Sequence, residues 1–201
     1  MRTAESLAEE RAARTASAPV LGMVLFVASE AMFFAAFFAI YALNFSSHDV
    51  WPPKNIKNPS IGLATIMTAA MVVSSVLLQV GLRAIRGGRT RPFTRLLGVA
   101  LALGLAFVAL QIVGLSQVSF GIKDGAYGSL FYVMSGVALA HVVGGIMLLA
   151  MVLTRTVSGQ LSMIRHEPAE AATIYWHFVV VVTIVLYVLF YVVAATHLKG
   201  P

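Results

Sequence analysis

Three side chains within long apolar stretches of the sequence could hold or transfer a proton: Glu30, His141 and His177. Glu30 is the most unusual of them, because it lies near the middle of an apolar run from about Val20 to Leu43. An acid at the centre of a bilayer costs roughly 3 kcal/mol on insertion scales, so it normally faces protein, water or a functional pathway. The sequence therefore predicts that Glu30 has a polar partner inside the membrane or serves a proton pathway.

The positions of the two histidines along their segments decide which of them can meet Glu30. At about 1.5 Å per helical residue, Glu30 lies about 15 Å from the start of the first apolar segment. His141 is near the middle of the fourth segment and so at a similar depth, whereas His177, beside Tyr175 and Trp176, is nearer one end of the fifth. We expect His141 to be the better partner. The simpler alternative is that Glu30 only bonds an interior histidine or hydroxyl and holds the bundle together.

So small a set of polar groups excludes most kinds of catalytic site. A metal ordinarily needs three or four converging ligands, which two membrane histidines at different depths do not provide. The sequence has no cysteine, nucleophilic triad, phosphate-cradling glycine loop or Walker motif. We expect no catalytic, metal-binding or cofactor-binding residue in this chain. A haem held by His141 and His177 stays open as an alternative.

The segments that carry these residues are long enough to cross a membrane. Of the 201 residues, 59% are hydrophobic and 11% are charged, whereas about a quarter of the residues of an average soluble domain are charged. A spanning helix needs about 20 apolar residues. Five segments meet that length, at about 19–44, 60–83, 95–117, 128–154 and 171–196. We predict an all-α integral membrane bundle of five transmembrane helices.

The basic residues predict the orientation of this bundle. All ten arginines lie on the side of the N-terminus, and all four lysines lie on the other side. Because positive charge is retained on the cytoplasmic side, the N-terminus is expected inside and the C-terminus outside. Residues 1–18 then form a cytoplasmic N-terminal segment, and 19–198 form the transmembrane domain. The net charge of +6 follows from this topology and does not indicate nucleic acid binding.

Small and polar side chains predict how the helices pack. Alanines 31, 35 and 39 form one stripe of the first segment, and Gly136, Ala140 and Gly144 form another in the fourth; such stripes allow helices to approach closely. Glu30 lies instead on an aromatic face of the first segment, so we expect the alanine face to pack tightly and the aromatic face to line a looser surface. The second segment also carries Thr68, Ser74, Ser75 and Gln79. Such side chains are expected to bond across helices or back to their own backbone.

Five short motifs together resemble subunit III of the haem-copper terminal oxidases. They are LFVASEAMFF at 25–34, WPP at 51–53, AYGSLF at 126–131, HVVGG at 141–145 and YWHFV at 175–179. Their order and spacing on five spans resemble the short bacterial form of the family, which lacks the first two helices of the seven-helix version. The resemblance covers residues 20 to 195.

The resemblance implies an accessory subunit without a redox centre of its own. Haem and copper are then expected in the partner catalytic subunits, with subunit I in direct contact and subunits II and IV in the same complex. Phospholipids, a respiratory supercomplex and a multi-pass location in the bacterial cytoplasmic membrane are implied as well. In that family subunit III helps to sustain proton uptake and turnover beside a lipid-containing cleft. Glu30, His141, Trp176 and His177 match the polar positions of the family motifs.

The chain also departs from the family pattern. The family usually has histidine, aspartate and tryptophan where this chain has Ala138, Val180 and Thr183, and a glutamate is replaced by Gly114. These departures leave open whether the partner is a cytochrome c oxidase, a quinol oxidase or a nitric oxide reductase. A small proton-coupled transporter that uses Glu30 is the alternative from another class, although repeats and broken helices typical of transporters are not visible in the sequence.

Overall fold

A computed structural model describes residues 18–53, 56 and 60–194 of the chain. Over these residues it is all-helical, with five helices long and apolar enough to cross a membrane, which confirms the predicted fold class. The helices are α1 (Ala18–Ser46), α2 (Ile61–Arg86), α3 (Thr90–Ser116), α4 (Gly125–Val157) and α5 (Glu167–Tyr187). A π-helical segment, Val188–Val193, continues α5. The predicted cytoplasmic segment 1–18 lies outside the described residues except for Ala18, and the orientation in the membrane stays a prediction.

Four helices form a ring. Helix α2 packs against α3, α3 against α4, α4 against α5, and α5 against α2. Helix α1 lies outside this ring, mainly against α5 and with a smaller contact to α4. The connection between α2 and α3 is tight because Gly88 takes a positive φ of 76°, a conformation that costs glycine little.

The packing of α1 is the reverse of what the sequence predicts. Its alanine face is exposed, and its buried side chains are the aromatic Phe34 and Tyr41. The physical reason is the size of the side chains. The ring of Phe34 is long enough to contact both His141 and Phe178, with centroid separations of 4.9 and 5.9 Å, whereas an alanine side chain could not fill that space. Large aromatic side chains also bury more apolar area. The expectation that the alanine face packs against sister helices is therefore wrong.

The stripe on α4 is likewise not a packing face within this chain. Gly136 and Ala140 are exposed, and a side-chain carbon added at Gly136 would meet nothing within 4 Å. Only Gly144 faces a neighbour, the hydroxyl of Tyr175 on α5. Close approach on α4 occurs instead one residue further along, at Gly145.

Candidate functional site

Glu30 and His141 meet between α1 and α4. The Oε2 atom of Glu30 lies 2.9 Å from Nε2 of His141. His141 is the central residue of α4, and Glu30 is close to the middle of α1. The predicted similarity in depth is thus confirmed, and the carboxyl group that is costly inside a bilayer has a polar partner.

The hydrogen bonds of His141 determine how the pair holds a proton. Its Nδ1 atom lies 2.8 Å from the carbonyl oxygen of Val137, which can only accept, so Nδ1 carries a hydrogen. Nε2 then either accepts a hydrogen bond from a neutral Glu30 carboxylic acid or, when protonated, donates one to the carboxylate. In both arrangements the pair shares one proton and has no net charge, which suits an apolar environment.

Aromatic rings surround this pair without closing it off. Phe34 lies edge-on to the His141 ring, and Phe26 stacks on Tyr175 with centroids 6.0 Å apart. The Tyr175 hydroxyl donates to the carbonyl of His141 at 3.1 Å. The side chains of Glu30 and His141 remain 23% and 16% exposed, so the pair can be reached from the surroundings of the bundle.

Trp176 lies inside the ring of helices, away from the Glu30 pair. It is fully buried, and its Nε1 atom donates to the Ser74 hydroxyl on α2 at 2.9 Å. Gly104 and Gly145 leave room for the indole, because a Cβ added there would lie 2.6 and 2.8 Å from its ring atoms. One side chain of α5 therefore contacts α2, α3 and α4, and its geometry is that of a packing centre.

His177 forms a third polar contact, between α5 and α2. Its Nδ1 atom bonds the Ser75 hydroxyl, and its Nε2 atom lies 3.0 Å from Oε1 of Gln79. These contacts confirm that Ser74, Ser75 and Gln79 bond across helices, whereas Thr68, which the sequence prediction also named, makes no hydrogen bond among the described residues. His141 and His177 have separate partners and are not brought together.

A polar contact that the sequence did not indicate joins the end of α2 to the start of α5. Nε of Arg86 donates to Oε1 of Glu170 at 2.8 Å, and Nε2 of His166 lies 3.3 Å from the same oxygen. In the sequence, Arg86 is one of the ten arginines that indicate the orientation of the bundle. The i, i+4 spacing of His166 and Glu170 was the signal that could have found part of it.

Within residues 18–53, 56 and 60–194, no cluster of three or more histidine, aspartate or glutamate side chains could hold a metal ion. The arrangement around Glu30 can instead store one proton between two groups and exchange it with its surroundings. The function of such a site depends on what lies beside it in the membrane.

Comparison with known proteins identifies the family. The family model described as "Cytochrome c oxidase subunit III" matches residues 6–195, which is nearly the whole chain. The chain belongs to the cytochrome c oxidase subunit III family. It is therefore a multi-pass membrane protein with an accessory role in a haem-copper oxidase, as the sequence motifs predict.

Relatives of subunit III occur in distant organisms. The chain is 32% identical over 173 residues to "Cytochrome c oxidase subunit 3" of Synechocystis. The matched residues make up 86% of this chain and 74% of the relative. It is 32% identical over 174 residues to the protein of that name from Thermostichus vulcanus, covering 86% of each chain. The mouse protein of that name is 36% identical over 177 residues, covering 85% and 67%. The transporter alternative receives no support from these relatives.

The departures from the family pattern lie inside the subunit III bundle. Ala138, Val180 and Thr183 are all buried, and Gly114 lies near the end of α3. Their side chains are smaller or less polar than the groups that the family pattern has there.

Proposed function

We propose that this subunit III lies directly against subunit I of a haem-copper oxidase in a bacterial cytoplasmic membrane, with subunits II and IV in the same complex. Haem and copper belong to the partner catalytic subunits, where oxygen is reduced. This chain supplies a membrane-embedded surface and a proton-holding site, not a catalytic group.

The observation that carries this proposal is the hydrogen-bonded pair of Glu30 and His141 near the midpoints of α1 and α4. The pair is partly exposed at the side of the bundle, so it can exchange a proton with a neighbouring group or with water there. We propose that it supports proton uptake and sustained turnover by the catalytic subunit next to it. Trp176 and His177 maintain the helix positions on which that pair depends.

The exposed surface of α1 supports a neighbour on this side of the bundle. In the most apolar stretch of 18 residues in α1, only 6% of the residues are buried. The corresponding share is 22 to 39% in the other four helices. Met32, beside the Glu30 pair in sequence, is 77% exposed. Subunit I and phospholipids are the partners that we propose for this apolar surface, and a larger respiratory assembly can form around them.

Purification through a tag on this chain tests the proposed assembly. Membranes solubilised under mild conditions should give a complex with a haem-bearing partner, recognised by its reduced-minus-oxidised absorption bands. This chain expressed alone should consume no oxygen. A colourless preparation that contains only this chain, folded and stable, would overturn the proposal.

A further inference from the structure

A crevice runs into the middle of the ring formed by α2, α3, α4 and α5. Its wider part has a volume of about 270 Å³, and a narrower part of about 40 Å³ continues from it. The two parts share Ala64, Met67, Gln111 and Tyr191 as lining residues, so they adjoin at these side chains. Ser60, Gln117 and Ser119 line the wider part, which places its mouth at the end of the bundle where α2 begins and α3 ends.

Several polar side chains along this crevice have no hydrogen-bond partner among the described residues, although the hydroxyl of Tyr187, which also lines it, bonds the Thr65 hydroxyl at 2.7 Å. Among the described residues, no hydrogen bond is made by the side chains of Thr68, Gln111, Ser135 or Tyr191. Ser135 is the most telling of them, because it is only 7% exposed. By contrast, the Thr183 hydroxyl bonds the carbonyl of Val179 at 2.9 Å, as hydroxyls inside helices commonly do.

These unpartnered groups extend far from the end of the bundle. Ser135 is ten residues into α4, or about 15 Å along the helix. Beyond the narrow part the ring is closed by packed side chains, with Met71 and Trp176 fully buried. The crevice is therefore open at one end and closed near the middle of the bundle.

Two further features of the chain lie along this space. Gly114 lines its wider part, and Ala138 and Thr183 line its narrower part, so short side chains of α3, α4 and α5 face this space. The π-helical segment Val188–Val193, which continues α5, lines the crevice with Phe190 and Tyr191. Such segments are frequent at functional sites.

We propose that this crevice is filled by water and carries the aqueous phase from one end of the bundle to about its middle. A buried polar group without a hydrogen bond costs about 1–3 kcal/mol, and the buried Ser135 together with the half-buried Thr68, Gln111 and Tyr191 favours an occupant that can bond them all. Water does so, whereas a lipid acyl chain would leave each one unpartnered. At about 30 Å³ per molecule, the wider part has room for on the order of nine waters. Glu30 and His141 do not line the crevice, so this site is separate from the proposed proton site.

Single thiols test the proposal directly, because the chain has no cysteine of its own. Ser135→Cys is made in the complete oxidase complex in membranes and treated with a charged, membrane-impermeant methanethiosulfonate. That reagent attacks thiolates, which form only where water reaches the sulfur. The matched controls are Met134→Cys, at a fully buried position, and Val133→Cys, at a position 39% exposed on the side of the bundle.

The cysteine at position 135 should react at least about tenfold faster than either control, because only its sulfur would contact water. Equal rates at the three positions would overturn the proposal. Reaction at position 135 only after the lipid has been stripped away would overturn it as well, because the occupant would then be an acyl chain.

A second variant tests the route of entry. A Cβ added at Gly114 or at Gly98, on the same helix, would meet nothing within 4 Å, so α3 tolerates a side chain at both positions. Gly114→Phe places a ring at the mouth of the crevice and should slow the labelling of Ser135→Cys several-fold. Gly98→Phe, outside the crevice, should leave the rate unchanged. If both variants label at the unmodified rate, the reagent enters by another route and the proposed crevice is wrong.

Discussion

Oε2 of Glu30 lies 2.9 Å from Nε2 of His141 and links α1, the helix outside the ring, to α4 within it. Since Nδ1 of His141 is already used as a donor to the Val137 carbonyl, this contact holds one proton between a carboxyl and an imidazole. A costly acid in the membrane is thereby made part of a neutral pair.

Two substitutions of Glu30 should distinguish the effect of its hydrogen bond from the effect of the proton that it holds. In Glu30→Gln the amide NH₂ can still donate to Nε2 of His141, so we expect the assembled complex to keep nearly its normal thermal stability. Glu30→Ala leaves Nε2 of His141 unpartnered, which should cost about 1–3 kcal/mol. Thermal unfolding of the purified complex measures both variants.

A double-mutant cycle serves as the control for that comparison. If the two side chains interact directly, Glu30→Ala and His141→Ala together should cost about 0.5–3 kcal/mol less than the sum of the single changes. Strict additivity would mean that the contact contributes nothing to stability.

The fit of Trp176 between the helices should make Gly145 intolerant of a side chain. In Gly145→Ala the new Cβ would lie 2.8 Å from the indole, and the overpacking should cost about 1–3 kcal/mol of unfolding free energy. Gly136→Ala is the matched control on the same helix, because its Cβ would meet nothing within 4 Å. Equal thermal stability of the two variants would argue against this packing.

The buried hydrogen bond from Trp176 to Ser74 should contribute more to the unfolding free energy than a hydrogen bond of an exposed serine. Ser74→Ala leaves a fully buried indole N–H without an acceptor, for which we expect a loss of about 1–3 kcal/mol. Ser29→Ala is the control, since the Ser29 hydroxyl is exposed and bonds only the Phe26 carbonyl of its own helix; a change within about 0.5 kcal/mol is expected there. Similar losses at the two serines, measured by thermal unfolding, would contradict a special role for Ser74.

The membrane helices and the depth of the Glu30 pair could be predicted because both follow from counting residues. Long apolar segments predict the spans, and a constant rise per residue puts Glu30 level with His141. The hydroxyl-rich face of α2 likewise indicated bonds across helices, and Ser74, Ser75 and Gln79 make them.

The face that α1 turns to the bundle could not be predicted in this way. Small residues show where a helix can approach closely, but they do not show which helix approaches, and Phe34 decided the packing by reaching two neighbours. The crevice was hidden for a related reason. It arises where small or unpartnered side chains of four helices meet, among them Thr68 and Ser135, and no single helix shows that pattern in its sequence.

The most direct test of the proposed function is the course of oxygen consumption by the purified oxidase complex over many turnovers, with Glu30→Gln compared against unmodified protein and against Ser29→Ala. We expect the Glu30→Gln complex to start at the normal rate, because oxygen is reduced in the partner subunit, and then to lose activity sooner, because its pair no longer exchanges a proton. Ser29→Ala should follow the unmodified protein. If the Glu30→Gln complex keeps its activity as long as the unmodified complex, the Glu30–His141 pair does not sustain turnover, and the account of this site is wrong.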